Sequence, residues 1–201
     1  MNDRIDPLAR GSTRWWILAF LSVMLFGNYY VYDAIGPLAD TLQQSLNFSD
    51  TQIGTLNAIY SLPNVFMVLI GGLLIDRYGP GRVALWTTGI CLFGAVLTAT
   101  RGDFVTMAAG RLFFGIGAET MIVATTAALA LWFRSSHLAL AMALNVSIAR
   151  GGSYVADVSP VWARSLYDQG WQEPLMLAAA MAALSFVAAI LYWAREHKGV
   201  P

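Results

Sequence analysis

Charge is what this sequence has least of. Asp, Glu, Lys and Arg make up 12% of its 201 residues, roughly half the share usual in a soluble domain. With 57% hydrophobic residues and a mean hydropathy of +0.58, that scarcity excludes a disordered chain and argues against an ordinary soluble enzyme. The 12 basic and 12 acidic residues cancel, so there is no electrostatic footprint for nucleic acid. The one cysteine, Cys91, excludes an internal disulfide and any zinc spacing. It reads as a small apolar residue within a helix. HExxH, GxSxG and clustered metal ligands are all missing. His137 and His197 both fall near one predicted membrane surface, away from other candidate chemistry. The sequence therefore predicts no enzyme, no metal and no cofactor.

Long hydrophobic runs, by contrast, fill the chain. A membrane helix needs roughly 20 apolar residues at about 1.5 Å each. Six stretches qualify, at about 15–42, 50–75, 83–100, 104–132, 138–166 and 174–193. The predicted fold class is an all-α membrane protein. A tail over 1–14 precedes a six-helix transmembrane bundle over 15–194, and a second tail covers 195–201, which leaves no room for a soluble domain. The first stretch is too long and too aromatic for a signal peptide. Ser49 and Asp50 sit where the second helix would be capped, and Pro174 at the first turn of the sixth. Pro37, Pro63 and Pro160 fall inside helical patterns. Each removes a backbone hydrogen bond and should bend its helix, which a membrane bundle tolerates when neighbours re-satisfy the backbone.

Basic residues give the orientation. With a cytoplasmic N-terminus, the inside segments hold Arg4, Arg10, Arg14, Arg77, Arg82, Arg134, Arg195 and Lys198, and the outside loops hold Arg101 and Arg164. That is a positive-inside bias. Trp15, Trp16, Trp86, Trp132 and Trp193 gather at the same interface and Trp171 at the other. Both termini are expected in the cytoplasm, and the setting is expected to be a bacterial inner membrane.

Five charges lie well inside the predicted spans, away from their ends: Asp33, Arg111, Glu119, Arg150 and Asp157. Charge there is expensive and is a functional hypothesis by default. All five lie on the first, fourth and fifth stretches. The third and sixth carry none and are expected as lipid-facing scaffold around a polar cavity. Helical rise puts Glu119 about 20 Å and Arg150 about 18 Å from the inner face, one layer near mid-membrane. Arg111, Asp157 and Asp33 come out at about 31, 28 and 27 Å, a second layer nearer the outside. Arg111, Gly115 and Glu119 recur every four residues along one helix face.

The outer layer is expected to hold as an Arg111–Asp157 ion pair that ties helices together. A purely structural Glu119–Arg150 pair is the bland reading of the inner layer. Buried pairs are a costly way to hold helices, and a facing acid and base suit a zwitterionic small molecule better. The carboxylate would take its ammonium group, and the guanidinium would fork onto its carboxylate. Asp33, Tyr29, Tyr60 and Asn64 are further substrate-binding candidates on the cavity wall, the last two standing one turn apart.

The loop Gly71-Gly72-Leu73-Leu74-Ile75-Asp76-Arg77-Tyr78-Gly79-Pro80-Gly81-Arg82 resembles the signature loop of the major facilitator superfamily. It departs from that pattern at Pro80 and Gly81, which replace basic residues, and Arg82 comes one place late. Arg111-Leu112-Phe113-Phe114-Gly115 resembles the superfamily's helix-four motif. The glycine-proline pattern of its antiporters is missing from the fifth stretch, where Arg150-Gly151-Gly152 stands. A narrower resemblance rests on Gly27-Asn28-Tyr29-Tyr30, Tyr32-Asp33, Tyr60-Ser61-Leu62-Pro63-Asn64-Val65, Phe114-Gly115-Ile116-Gly117-Ala118-Glu119 and Ala149-Arg150. These are similar to the lysosomal dipeptide-transporter branch. The resemblance implies that Glu119 and Arg150 bind peptide termini, and that Asp76, Arg77, Gly79 and Arg111 serve gating or structure. Asp157 joins the latter group by position alone.

The superfamily fold has twelve helices in two six-helix halves, so the resemblance implies that this chain is the amino-terminal half. Such halves are related by an axis along the membrane normal. A homodimer about that axis would imitate the whole fold, and a complementary second-half protein would do the same. In the homodimer, Asp76 is expected near the start of the partner's fifth helix, at 135–138, where a helix N-terminus favours negative charge. The expected function is transport of small solutes, dipeptides first, by alternating access, with the first, second, fourth and fifth stretches lining the path. The alternatives are another substrate class on the same fold, such as organic anions or sugars, and a non-transporting structural or regulatory membrane protein.

Overall fold

A computed structural model describes residues 13–133 and 137–199. Arg4, Arg10, Arg134 and positions 135–136 lie outside them. Helix α1 (Thr13–Asp33), a 3-10 turn (Gly36–Leu38) and α2 (Ala39–Leu46) make the first span. Helix α3 (Asp50–Ala58), a second 3-10 turn (Ile59–Ser61) and α4 (Asn64–Tyr78) make the second. The third, fourth and fifth spans are single helices: α5 (Pro80–Thr100), α6 (Phe104–Trp132) and α7 (Leu138–Asp157). Two short helices, α8 (Ser159–Trp162) and α9 (Arg164–Tyr167), lead to α10 (Gln172–Gly199), which carries the sixth. The fold is an all-α membrane bundle with six helical passages long and apolar enough to cross a bilayer.

The prolines explain the breaks. Pro37 lies in the turn after α1, Pro63 immediately precedes α4, and Pro160 lies in α8, just beyond the end of α7. The fifth span therefore stops at Asp157 rather than near 166. Capping sets the starts. The Ser49 hydroxyl accepts from the Gln52 amide at 3.3 Å while the Ser49 amide donates to Gln52 Oε1 at 2.9 Å, a reciprocal capping box at α3. Asp103 caps α6 by accepting from the Thr106 amide at 2.9 Å. Between α4 and α5 the chain turns at Gly79 with φ +81°, a conformation that costs a side chain dearly and glycine little.

Small residues let the backbones touch. A Cβ on Gly94 of α5 would lie 2.5 Å from the Phe114 amide nitrogen of α6, the close approach membrane helices use in place of a hydrophobic drive. The main apolar cluster runs through Ile17, Met24, Phe114, Met121 and Tyr192. A second one, with Ile35, Leu38, Leu42, Phe48, Leu56 and Met107, fills the end away from the signature loop.

The third and sixth spans turn Trp86, Phe93, Leu184 and Val187 outward, and burial separates the spans further. In the most apolar window of each, 50% of the third and 44% of the sixth are buried, against 11% of the second and 22% of the fifth. The third and sixth are thus packed behind α1 and α6, and the barest faces belong to the second and fifth.

Candidate functional site

Arg111 is 2% exposed and fully engaged. Its Nε donates to the Leu56 carbonyl at 3.1 Å, Nη1 to Val31 at 2.7 Å and Nη2 to Tyr32 at 2.7 Å. These carbonyls lie in the last turns of α1 and α3, where intrahelical donors run out and the helix dipole is negative. The guanidinium also faces the Tyr60 ring at 4.7 Å and the Phe114 ring at 5.5 Å. The predicted Arg111–Asp157 pair is absent. Asp157 is exposed at the end of α7, and among the described residues the ion pair within 4.0 Å is Arg164–Asp168, at 3.9 Å. Helix breaks left carbonyls nearer to Arg111 than any carboxylate. Asp33, half-buried at the end of α1, acts on Arg111 through its charge without pairing.

Two turns along α6, Glu119 points to the same side. Between them a Cβ on Gly115 would fall on the Tyr60 carbonyl oxygen, so the broken part of the second span lies flush against α6. Glu119 is 7% exposed, and its charge reaches Tyr29, Tyr32 and Cys91. Arg150 is exposed on α7, its guanidinium carbon 5.0 Å from the Tyr29 ring centre. Tyr29 thus carries the base, with the acid buried on the neighbouring α6. Glu119 and Arg150 do not pair with each other within 4.0 Å. An aromatic wall continues from Tyr29 to Tyr32 (5.9 Å between ring centres), Tyr60 (4.0 Å further) and Phe114 (6.5 Å beyond).

The remaining candidates are spread out. Tyr60 lies in the 3-10 turn and Asn64 opens α4, both half-buried. Pro63 separates them, so they do not share one continuous helix face as expected. Asp76 and Arg77 are exposed at the signature-loop end, with the Arg77 guanidinium 5.3 Å from the Tyr78 ring. Tyr32 was not among the sequence candidates. Its signal was available, since it follows Tyr29 by three residues and so belongs to the same helix face.

Six apolar helical passages around a buried acid and a base resting on a tyrosine define a multi-pass membrane bundle. Residues 18–201 match the Major Facilitator Superfamily, and the chain belongs to it. It is 32% identical over 190 residues to the lysosomal dipeptide transporter MFSD1 of Danio rerio, covering 87% of this chain and 41% of that protein. To the human protein of that name it is 34% identical over 155 residues, 75% of this chain and 33% of the other. A probable sulfoacetate transporter, SauU of Cupriavidus necator, is 25% identical over 173 residues, 86% of this chain and 40% of that one. A crystal structure of the peptide transporter POT with sulfate superposes with a TM-score of 0.76 at 15% identity, over 94% of this chain and 41% of that chain, a likeness of fold. The chain spans 41% or less of the length of each of these proteins.

Proposed function

We propose that the chain forms one wall of a carrier that moves small zwitterions, dipeptides foremost, by alternating access. The observation that carries this is an acid buried on α6, Glu119, and a base on α7, Arg150, resting on Tyr29 of α1, with neither in an ion pair among the described residues. Charges left unpartnered inside a bundle are costly, and a solute bearing both an ammonium and a carboxylate relieves both at once. The names of the MFSD1 relatives support dipeptides as the first class to test. The sulfoacetate relative favours a second reading, an organic anion, which would call on Arg150 and leave Glu119 idle. Uptake into proteoliposomes separates them. Dipeptide flux lost in both Glu119→Gln and Arg150→Ala supports the first reading, and flux untouched by either removes it. Loss of anion flux in Arg150→Ala alone supports the second.

The opposing wall is assigned to a second copy, related by an axis along the membrane normal. The bare apolar face of the second span, with Val65 78% and Leu69 71% exposed, supports a partner there. Both termini are placed in the cytoplasm, as the basic residues suggest, and the setting proposed is a bacterial inner membrane. Cysteines at positions 76 and 136, in a Cys91→Ser background, are expected to crosslink between copies in native membranes. Absence of the intermolecular product, or one chain per particle in nanodiscs, would leave the opposing wall to a different protein.

A further inference from the structure

The signature loop abandons its family pattern at Pro80 and Gly81, and the structure supplies what stands there instead. Helix α5 starts at Pro80 directly after the Gly79 turn, and no side chain from that turn caps it. Its first amides need another acceptor. One comes from the far end of the chain: Glu196, near the end of α10. A Cβ on Gly81 would fall on Oε2 of Glu196, with Cδ 2.7 Å away. The carboxylate therefore lies directly against the Gly81 backbone in the first turn of α5. The other oxygen, Oε1, accepts from the Tyr192 hydroxyl at 3.0 Å. Tyr192 is fully buried and meets Trp132 at the end of α6. One carboxylate thereby joins the third and sixth spans and, through Tyr192, the fourth.

We infer that Glu196 is a positioning residue, an anionic clasp that fixes the start of α5 and, through Gly79, the loop bearing Asp76 and Arg77. Anions are favoured at a helix N-terminus by its free amides and its dipole. The missing basic residue and the carboxylate belong to one arrangement, because any side chain at position 81 would take the place of the clasp. Glycine at 81 is there for room, since its backbone is ordinary helix.

Hydrogen exchange on the full chain in nanodiscs tests the clasp. Glu196→Ala and Gly81→Ala are each expected to speed exchange of the amides at 78–85 about fivefold, while those at 104–110 keep their rates. Because both changes break one contact, the double variant is expected to be no faster than Glu196→Ala alone. Glu196→Gln keeps an acceptor and loses the charge, and falls between. Unchanged exchange at 78–85 in Glu196→Ala, or a double variant that multiplies the two effects, overturns the assignment. Should the alanine variant lose protection throughout, Glu196→Gln and Gly81→Ala decide, and the assignment fails if neither loosens 78–85 selectively. Positioning further predicts that Glu196→Gln lowers the maximal dipeptide uptake rate and leaves the half-saturating concentration alone; wild-type kinetics with a loosened loop would contradict it. A wild-type chain that moves no solute sinks the carrier reading, and the exchange result then judges the clasp by itself.

Discussion

Arg111 and Arg150 are the same residue type in the same bundle, and their surroundings have little in common. Arg111 spends three of its donors on carbonyls of two broken helices and lies between two aromatic rings. Among the described residues Arg150 makes no ion pair within 4.0 Å and rests on one tyrosine, and Glu119, buried on α6, is equally unpaired. The contrast teaches that charge inside a membrane is informative through what satisfies it. A saturated guanidinium holds the fold, and an unsaturated acid and base are left for something that arrives from outside.

Changes at five positions break or sharpen that contrast. The largest effect is expected from Arg111→Ala, which strands three buried carbonyls at about 1–3 kcal/mol each. Thermal unfolding in mild detergent should show a chain that is severely destabilised or does not fold, with Arg111→Lys recovering only part because it loses the planar fork. Wild-type stability in Arg111→Ala would make the two arginines alike. Next comes Gly115→Ala, which forces α6 away from the Tyr60 carbonyl. It should cost about 1–3 kcal/mol, read as a lower melting temperature.

Glu119→Gln and Arg150→Ala are expected to leave stability within about 0.5 kcal/mol. In the uptake assay they should cut dipeptide flux by about tenfold or more, the loss of one charge-assisted hydrogen bond. The smallest effect concerns Asp103, which makes the same kind of bond in water. The Thr106 amide holds its carboxyl below the usual carboxylate range. A depressed folded pKa means that its contribution is present above the unfolded value, about 3.9, and is lost as pH falls through the folded one. Melting curves of wild type and Asp103→Asn should therefore differ slightly at neutral pH and converge in acid. A difference that grows in acid would contradict that sign.

The passages themselves were legible because hydropathy over 20 residues is a strong signal, and the breaks because Pro37, Pro63 and Pro160 lack the amide a helix needs. Spacing along α6 placed Arg111, Gly115 and Glu119 on one face, and the first two do meet α1 and the second span. What Arg111 would bind was not legible. Its partners are carbonyls, which every residue has, so no letter at 31, 32 or 56 announces them. A carboxylate such as Asp157 does announce itself, and that is why it was the expected partner. The role of Glu196 was hidden for another reason. It lies 115 residues from Gly81 along the chain, and only the packing of α10 against α5 brings them together.

The contrast between the two arginines comes to a single test in the purified protein. A mixed dipeptide pool is expected to raise the melting temperature of the wild-type chain, by linkage to the folded state. Glu119→Gln and Arg150→Ala should start from the same unliganded melting temperature and show no rise. If both variants are stabilised by the dipeptides as much as the wild type, the acid and base at Tyr29 are not where the solute sits.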